Sequence, residues 1–349
     1  MVAVLHNNTT GNATHPTAMP DHSVNIVEVV KVVSFWLIII VGVMGNSLVI
    51  AVVKLFRSMR TPTNYLLVNV AAADIATLFF TAILFLITTR YSAAQSGAFA
   101  SFVCKFFFTN SIAIITLLVT ALTLTLLAFG RYQALVKPLS VTGRLTIDRI
   151  AYVITGIWMV AAALVIPLLS TFYWDPKKYL CSLGDAEYEM MVYIDCLIVV
   201  LTIVPFSLIA FFYSQIVYGM YFKNTVCGNK SERCDTPEET REKRKLVTLL
   251  ILLTVIFFVA FIPYGVLLIL KVSMVNHSLF YLRLQTASQY LTLLNCSINP
   301  FIYAFQSSDY RLAFKVILKK MLCRDPTEER SELLERRTRT SVRRVQTKV

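Results

Sequence analysis

Seven long stretches of this 349-residue chain are apolar and almost free of charge, and no other feature restricts the fold so strongly. Residues 32–53, 106–130, 150–174, 246–270 and 284–306 hold no Asp, Glu, Lys or Arg, while 65–89 holds only Asp74 and 190–222 only Asp195. Each is long enough to cross a hydrocarbon core as a helix, which takes roughly 20 residues. Inside lipid every backbone N–H and C=O needs an internal partner, so runs of this length are expected as helices. The expected fold class is all-α: a seven-transmembrane helix bundle over 27–306. A soluble globular chain is excluded by composition, with 56% hydrophobic and 15% charged residues against about 25% charged in soluble domains.

The net charge of +13 is a matter of placement. The segments 54–64, 131–149, 223–245 and the tail from 307 hold 26 of the 33 Lys and Arg residues. Short cytoplasmic loops gather such residues, so these segments are expected inside, and the 1–26 tail outside. The basic excess is therefore no sign of nucleic-acid binding; it suits an inner leaflet. Asn7, Asn8 and Asn12 each open an Asn-x-Thr acceptor in the 1–26 tail, which is expected to be glycosylated. That tail lacks a basic then apolar leader, so the first span is expected to act as its own insertion signal.

Cysteine placement follows the same division. Cys104, at the outer end of the third span, and Cys181, in the loop after the fourth, face an oxidising space and are expected to pair. After the last span, 307–323 reads as a short amphipathic eighth helix on the cytoplasmic side. Tyr310, Phe314, Ile317, Leu318 and Met321 are expected on its apolar face. Cys323 at its end is a palmitoylation candidate. The 324–349 tail is polar and charge-mixed and is expected to be disordered.

Polar groups within spans carry most of the functional information. Asp74 lies mid-span, and Asn46, Thr120, Asn295, Ser297 and Asn299 lie at similar depth in other spans. Such a cluster suits water and a cation, or an interhelical hydrogen-bond staple. Pro167, Pro205, Pro263 and Pro300 each remove a helical donor within a span and allow a kink, static or mobile. The chain has no phosphate-binding glycine loop, no His-Glu-x-x-His and no Gly-x-Ser-x-Gly, so catalysis is not expected. Its four His residues are too dispersed for a metal site.

Eight signatures occur in one order: Gly45-Asn46, Leu66 to Asp74, the Cys104 and Cys181 pair, Arg131-Tyr132 with Pro138-Leu139, Trp158, Pro205 with Tyr213, Phe257 with Phe261-Ile262-Pro263, and Asn299 to Tyr303. In this the chain resembles the rhodopsin-like (class A) G-protein-coupled receptors over residues 27–323. The resemblance implies a ligand-shifted equilibrium between inactive and active bundles. The sixth span would swing about Pro263, with Phe257, Phe261 and Pro300 as parts of the switch. Arg131, Leu139, Tyr213 and Tyr303 would serve coupling to a heterotrimeric G protein. Asp74, Asn46, Thr120, Asn295 and Asn299 would form a sodium and water site, the ion being allosteric rather than a cofactor. Localisation would be the plasma membrane.

Departures from the family pattern carry their own expectations. Gly130 stands where an acid normally precedes the arginine, which predicts raised basal signalling. Phe261 replaces a tryptophan. Cys104 lies 27 residues before Arg131, two more than the common spacing, which leaves the register of the upper third span open.

The ligand class is narrowed by chemistry. Residues 108–116 contain no acid to pair an amine, and 284–305 contains no lysine to hold retinal. Residues 299–311 resemble galanin- and allatostatin-type neuropeptide receptors, so a peptide ligand is expected. Asn110, Tyr264, Gln285 and Gln289 are the pocket candidates by analogy, and Lys271 with Arg283 would pair an acidic group. A lipid or small metabolite is the alternative ligand, and a decoy or scaffold receptor with weak coupling the alternative role. Arrestin is an expected partner through phosphorylated Ser331, Thr338, Thr340, Ser341 and Thr347. The end Thr347-Lys348-Val349 resembles a PDZ-binding terminus.

Overall fold

The computed structural model describes residues 26–90, 98–108, 110–136, 145–176, 180–183, 187–221, 237–273, 279–322 and Ser331. Asn7, Asn8, Asn12, Leu139, Cys323, Thr338, Thr340, Ser341, Thr347 and Val349 lie outside the described residues, as does the side chain of Lys271.

The seven expected spans appear as α1 (Ile26–Leu55), α2 (Pro62–Arg90), a broken third span of α3 (Ala98–Val103) and α4 (Ser111–Val136), α5 (Ile147–Thr171), α6 (Glu187–Tyr221), α7 (Pro237–Ser273) and α8 (Leu279–Gln306). A final helix, α9, covers Ser308–Met321. Among the described residues the one departure from an all-helical chain is an antiparallel hairpin, β1 (Phe172–Asp175) with β2 (Leu180–Leu183), in which Trp174 faces Cys181. Cys181 is disulfide-bonded to Cys104 as expected, which ties the hairpin to the top of the third span.

Six of the helices are long and apolar enough to cross a membrane: Ile26–Leu55, Pro62–Ile87, Ala98–Val136, Ile147–Ser170, Asp195–Gly219 and Arg244–Leu267. The seventh, α8, is 28 residues long but less apolar, because it carries polar side chains that it turns into the bundle. Ser288, Asn295, Ser297 and Asn299 are all buried.

α4 sits at the centre, packed on α2, α5, α6 and α7, while α8 closes the bundle between α7 and α1. Close approach of α1 to α8 depends on two glycines. A Cβ on Gly45 would lie 2.9 Å from Pro300 Cγ, and one on Gly42 would collide with the Ser297 hydroxyl and Leu78. Small residues at such crossings let helix backbones meet in lipid, where no hydrophobic drive separates helix from solvent. Across α2, α4 and α5 the tie is polar: Asn69 Nδ2 donates to Thr123 Oγ1 at 2.8 Å, and Trp158 Nε1 donates to Asn69 Oδ1 at 2.9 Å.

The third span breaks between Cys104 and Asn110. Cys104–Phe108 forms one wide π-helical turn, and Asn110 then takes a left-handed φ of 54°. Asparagine tolerates this conformation better than most residues do. The π-turn and the left-handed Asn110 interrupt the helix within the Cys104 to Arg131 interval, whose length is the departure from the common spacing.

The apolar residues of α9 are divided between a buried stripe and an exposed edge. Tyr310, Phe314 and Ile317 are buried as expected, but Leu318 is 48% and Met321 69% exposed, while Leu312, Ala313 and Val316 are buried instead. The helix leans on α8 and α1, which turns its buried stripe toward the bundle. That leaves Leu318, Met321 and Leu322 as a second apolar edge. Ser307 caps the helix by accepting from the Tyr310 N–H. Burial pushes the Tyr310 phenol pKa up, so this hydroxyl is neutral at any physiological pH.

Candidate functional site

Halfway along α2, the Asp74 carboxylate is 2% exposed and accepts a hydrogen bond of 2.7 Å from Asn299 Nδ2 on α8. Cys296, one helical turn earlier on α8, is buried and lines the same space as this carboxylate. Above it, Thr77 on α2 and Thr116 on α4 share a 2.7 Å hydrogen bond between hydroxyls. A charge so deep in the bundle needs such partners, because apolar burial of an unpaired carboxylate costs several kcal/mol.

A cavity of about 130 Å³, enough for several waters, rises from this floor. Asp74, Thr120, Asn295 and Cys296 line its bottom, Phe261 its side, and Asn110, Tyr264, Thr286 and Gln289 its upper part. From Asn295 to Thr286 the wall of α8 spans nine residues, about 14 Å of helix rise. Residues assigned in sequence to the ion site, the aromatic switch and the ligand pocket therefore border one space. Asp74 is the only charged side chain among the described lining residues.

Not every candidate joins it. Asn46 is buried, but its amide donates to the carbonyls of Gly42 at 2.9 Å and Cys296 at 2.8 Å, bracing α1 on α8 beside the cluster. Ser297 likewise donates to Ile38 O at 3.0 Å. Gln285 is half-buried outside the lining residues, one turn before Gln289. Asp195 is half-buried on α6 and does not line the cavity. Thr77, Thr116, Phe35 and Cys296 belong to the site but carried no separate signal in the sequence, since hydroxyls and a thiol within apolar spans usually only pack.

Phe261 stacks on Phe257 with ring centres 4.6 Å apart, and Phe257 meets Phe258 edge to face at 5.3 Å. Below them Phe257, Tyr213 and Tyr303 lie in one buried apolar cluster that fills the end of the bundle away from the disulfide. Tyr303 stacks in turn on Tyr310 of α9, with centres 5.4 Å apart.

At that same end Arg131 is half-buried, and its guanidinium donates to the Thr63 hydroxyl in the first turn of α2. Gly130 has room above it: an added Cβ would meet only Leu145 Cδ1, at 3.7 Å. A second cavity, of about 310 Å³, opens here.

A helical bundle that crosses a membrane, is clamped by a disulfide-bound hairpin and encloses a deep cavity with a carboxylate floor is the architecture of a multi-pass receptor. The chain belongs to the 7 transmembrane receptor (rhodopsin family), whose sequence profile matches residues 45–303. It is therefore of a family of receptors and not of enzymes. It is similar to the galanin receptor type 1 of Mus musculus, 28% identical over 93% of this chain and 91% of that one. It is also similar to the substance-P receptor of Rattus norvegicus, 28% identical over 81% of this chain and 69% of that protein. The ultraviolet-sensitive opsin of Melopsittacus undulatus is 28% identical over 87% of this chain and 85% of its own.

Proposed function

We propose that this chain is a plasma-membrane receptor for an extracellular peptide, with its N-terminus outside, and that it passes ligand binding to heterotrimeric G proteins. The observation that carries this reading is the single cavity joining Tyr264 and Gln289 to Asp74 past Phe261. A ligand that enters from the disulfide-bearing end presses on the same wall that holds the aromatic pair Phe257 and Phe261. Outward movement of α7 about Pro263, which lies inside that helix, would then open the opposite end beside Arg131, Tyr213 and Tyr303. Similarity to the substance-P and galanin receptors, whose names denote neuropeptides, supports a peptide. The opsin is matched as closely, yet residues 284–305 carry no lysine for a Schiff base, so retinal is not the ligand.

Asp74, Thr120 and Asn295 offer only oxygen donors of the kind a hard monovalent cation takes, and they face one space. They would hold a sodium ion that favours the resting bundle. Asn299 orients the carboxylate by its direct hydrogen bond, and Asn46 acts at one remove by bracing the helices. Phosphorylated tail residues would recruit arrestin, and the terminal Val349 a PDZ domain.

The test is a screen of neuropeptides against the full chain in cells, read by nucleotide exchange on several G proteins. A peptide agonist whose potency falls at least tenfold in Gln289→Leu, with surface expression unchanged, supports the reading. Exclusive activation by lipids or small metabolites would replace the peptide, and binding without exchange would make the chain a decoy.

A further inference from the structure

We infer that the cavity beside Gly130 and Arg131 is a binding site for an anion bearing a phosphate or carboxylate, which supplies from outside the chain the negative charge that Gly130 lacks. This rests on the membrane-spanning reading but not on G-protein coupling. The cavity, about 310 Å³, lies between the first turns of α2, the last turns of α4 and Leu145. Thr63, Gln133 and Arg131 are its polar walls, and Leu66, Leu127 and Leu145 its apolar ones.

The charge balance around it is one-sided. Between Glu28 and Asp148 the sequence contains a single carboxylate, Asp74. Asp74 lies 11 residues further along α2 than Thr63, about 16 Å of helix, and its carboxylate is held by Asn299 on α8. In sequence the same interval carries, besides Arg131, the cations Lys54, Arg57, Arg60, Lys137 and Arg144. Among the described residues Arg131 donates only to the neutral Thr63 hydroxyl. A partly buried guanidinium offers five donors, and one hydroxyl leaves most of them for another acceptor.

Space and donors coincide. Because Gly130 has no side chain, and a Cβ there would contact Leu145 alone at 3.7 Å, the volume next to the guanidinium is open. Arginine forms bidentate pairs with phosphate or carboxylate readily. The leucine walls suit an acyl or glyceryl portion, so an acidic phospholipid of the adjacent leaflet and a free anion from solution are the two sources. Either would pull Arg131 toward α2 and hold it there, so basal activity would depend on the surrounding anions.

The experiment uses the full-length receptor in phosphatidylcholine nanodiscs and measures Tm in three settings: phosphatidylcholine alone, with phosphatidic acid in the disc, and with inorganic phosphate in the buffer. The native chain is expected to gain several degrees with phosphatidic acid. A gain with inorganic phosphate as well assigns the site to free anions, and a gain in neither setting overturns the inference. Gly130→Asp is expected to start from a higher Tm and to gain nothing, since its own carboxylate takes the place. Gly130→Asn, nearly the same shape without charge, keeps the gain. Loss of the gain in both variants would show that filled space is responsible and would sink the proposal, as would a full gain in Gly130→Asp. Arg131→Gln should bind phosphatidic acid about tenfold or more weakly, the loss of one charge-assisted pair; undiminished binding would also overturn it.

Discussion

Two charged side chains of this bundle, Asp74 and Arg131, are treated in opposite ways. Asp74 sits among side chains of its own chain, with Asn299 at 2.7 Å and Cys296 lining the same space. Among the described residues Arg131 has one neutral hydroxyl as acceptor, and an open cavity beside it. A carboxylate supplied with internal donors is held whatever surrounds the protein. A guanidinium whose partner is a single threonine depends on what arrives. The middle of the bundle thus supplies partners to its own carboxylate, and the α9 end leaves room beside its guanidinium.

Breaking the internal side of this contrast should have the largest effect. Asp74→Ala leaves the Asn299 amide without its acceptor and is expected to cost about 3 kcal/mol, read as a fall in Tm. Asp74→Asn should fold well yet lose any dependence of agonist affinity on sodium against choline; a preserved sodium effect would remove the ion from Asp74. Next in size is Gly45→Ala, which sets a methyl 2.9 Å from Pro300 Cγ and should cost about 1–3 kcal/mol by overpacking. It acts on the brace and not on either charge, so agonist sodium dependence should survive.

On the open side, Thr63→Val removes the one tether of Arg131. A hydrogen bond to a charged group contributes about 1.5–3 kcal/mol, so basal nucleotide exchange should rise about tenfold. Unchanged basal exchange would mean that the tether does not restrain the resting state. The smallest effect belongs to Tyr310→Phe. The Tyr310 hydroxyl is buried with no hydrogen-bond partner among the described residues, and deleting it should leave stability unchanged or raise it by up to about 1 kcal/mol. A clear loss of Tm would reveal a partner for that hydroxyl.

Much of this was legible in the sequence because lipid makes charge conspicuous. The scarcity of acids drew attention to Asp74, and Asn295 and Asn299 followed from depth alone. The disulfide followed from which side of the membrane each cysteine faced. Depth does not give direction, however. Asn46 stands at the level of Asp74 yet spends its amide on the carbonyls of Gly42 and Cys296. For α9, helical periodicity identified an apolar stripe but could not say which edge of a broad one would meet α1 and α8, hence the exchange of Leu318 and Met321 for Leu312 and Val316. The Arg131 cavity was signalled only by a missing side chain, at Gly130, and its neighbour Thr63 is 68 residues away in sequence.

The break at Cys104–Asn110 bears on how chemists would read this pocket. A straight helix traced upward from Arg131 would misplace the side chains above Asn110, since each residue out of register turns a side chain by about 100° around the axis. Ligands designed on an unbroken third span would thus meet the wrong wall. The same break also lets the upper turn, tied to the hairpin through Cys181, be lengthened or reshaped without turning the frame that holds Thr116, Thr120 and Arg131.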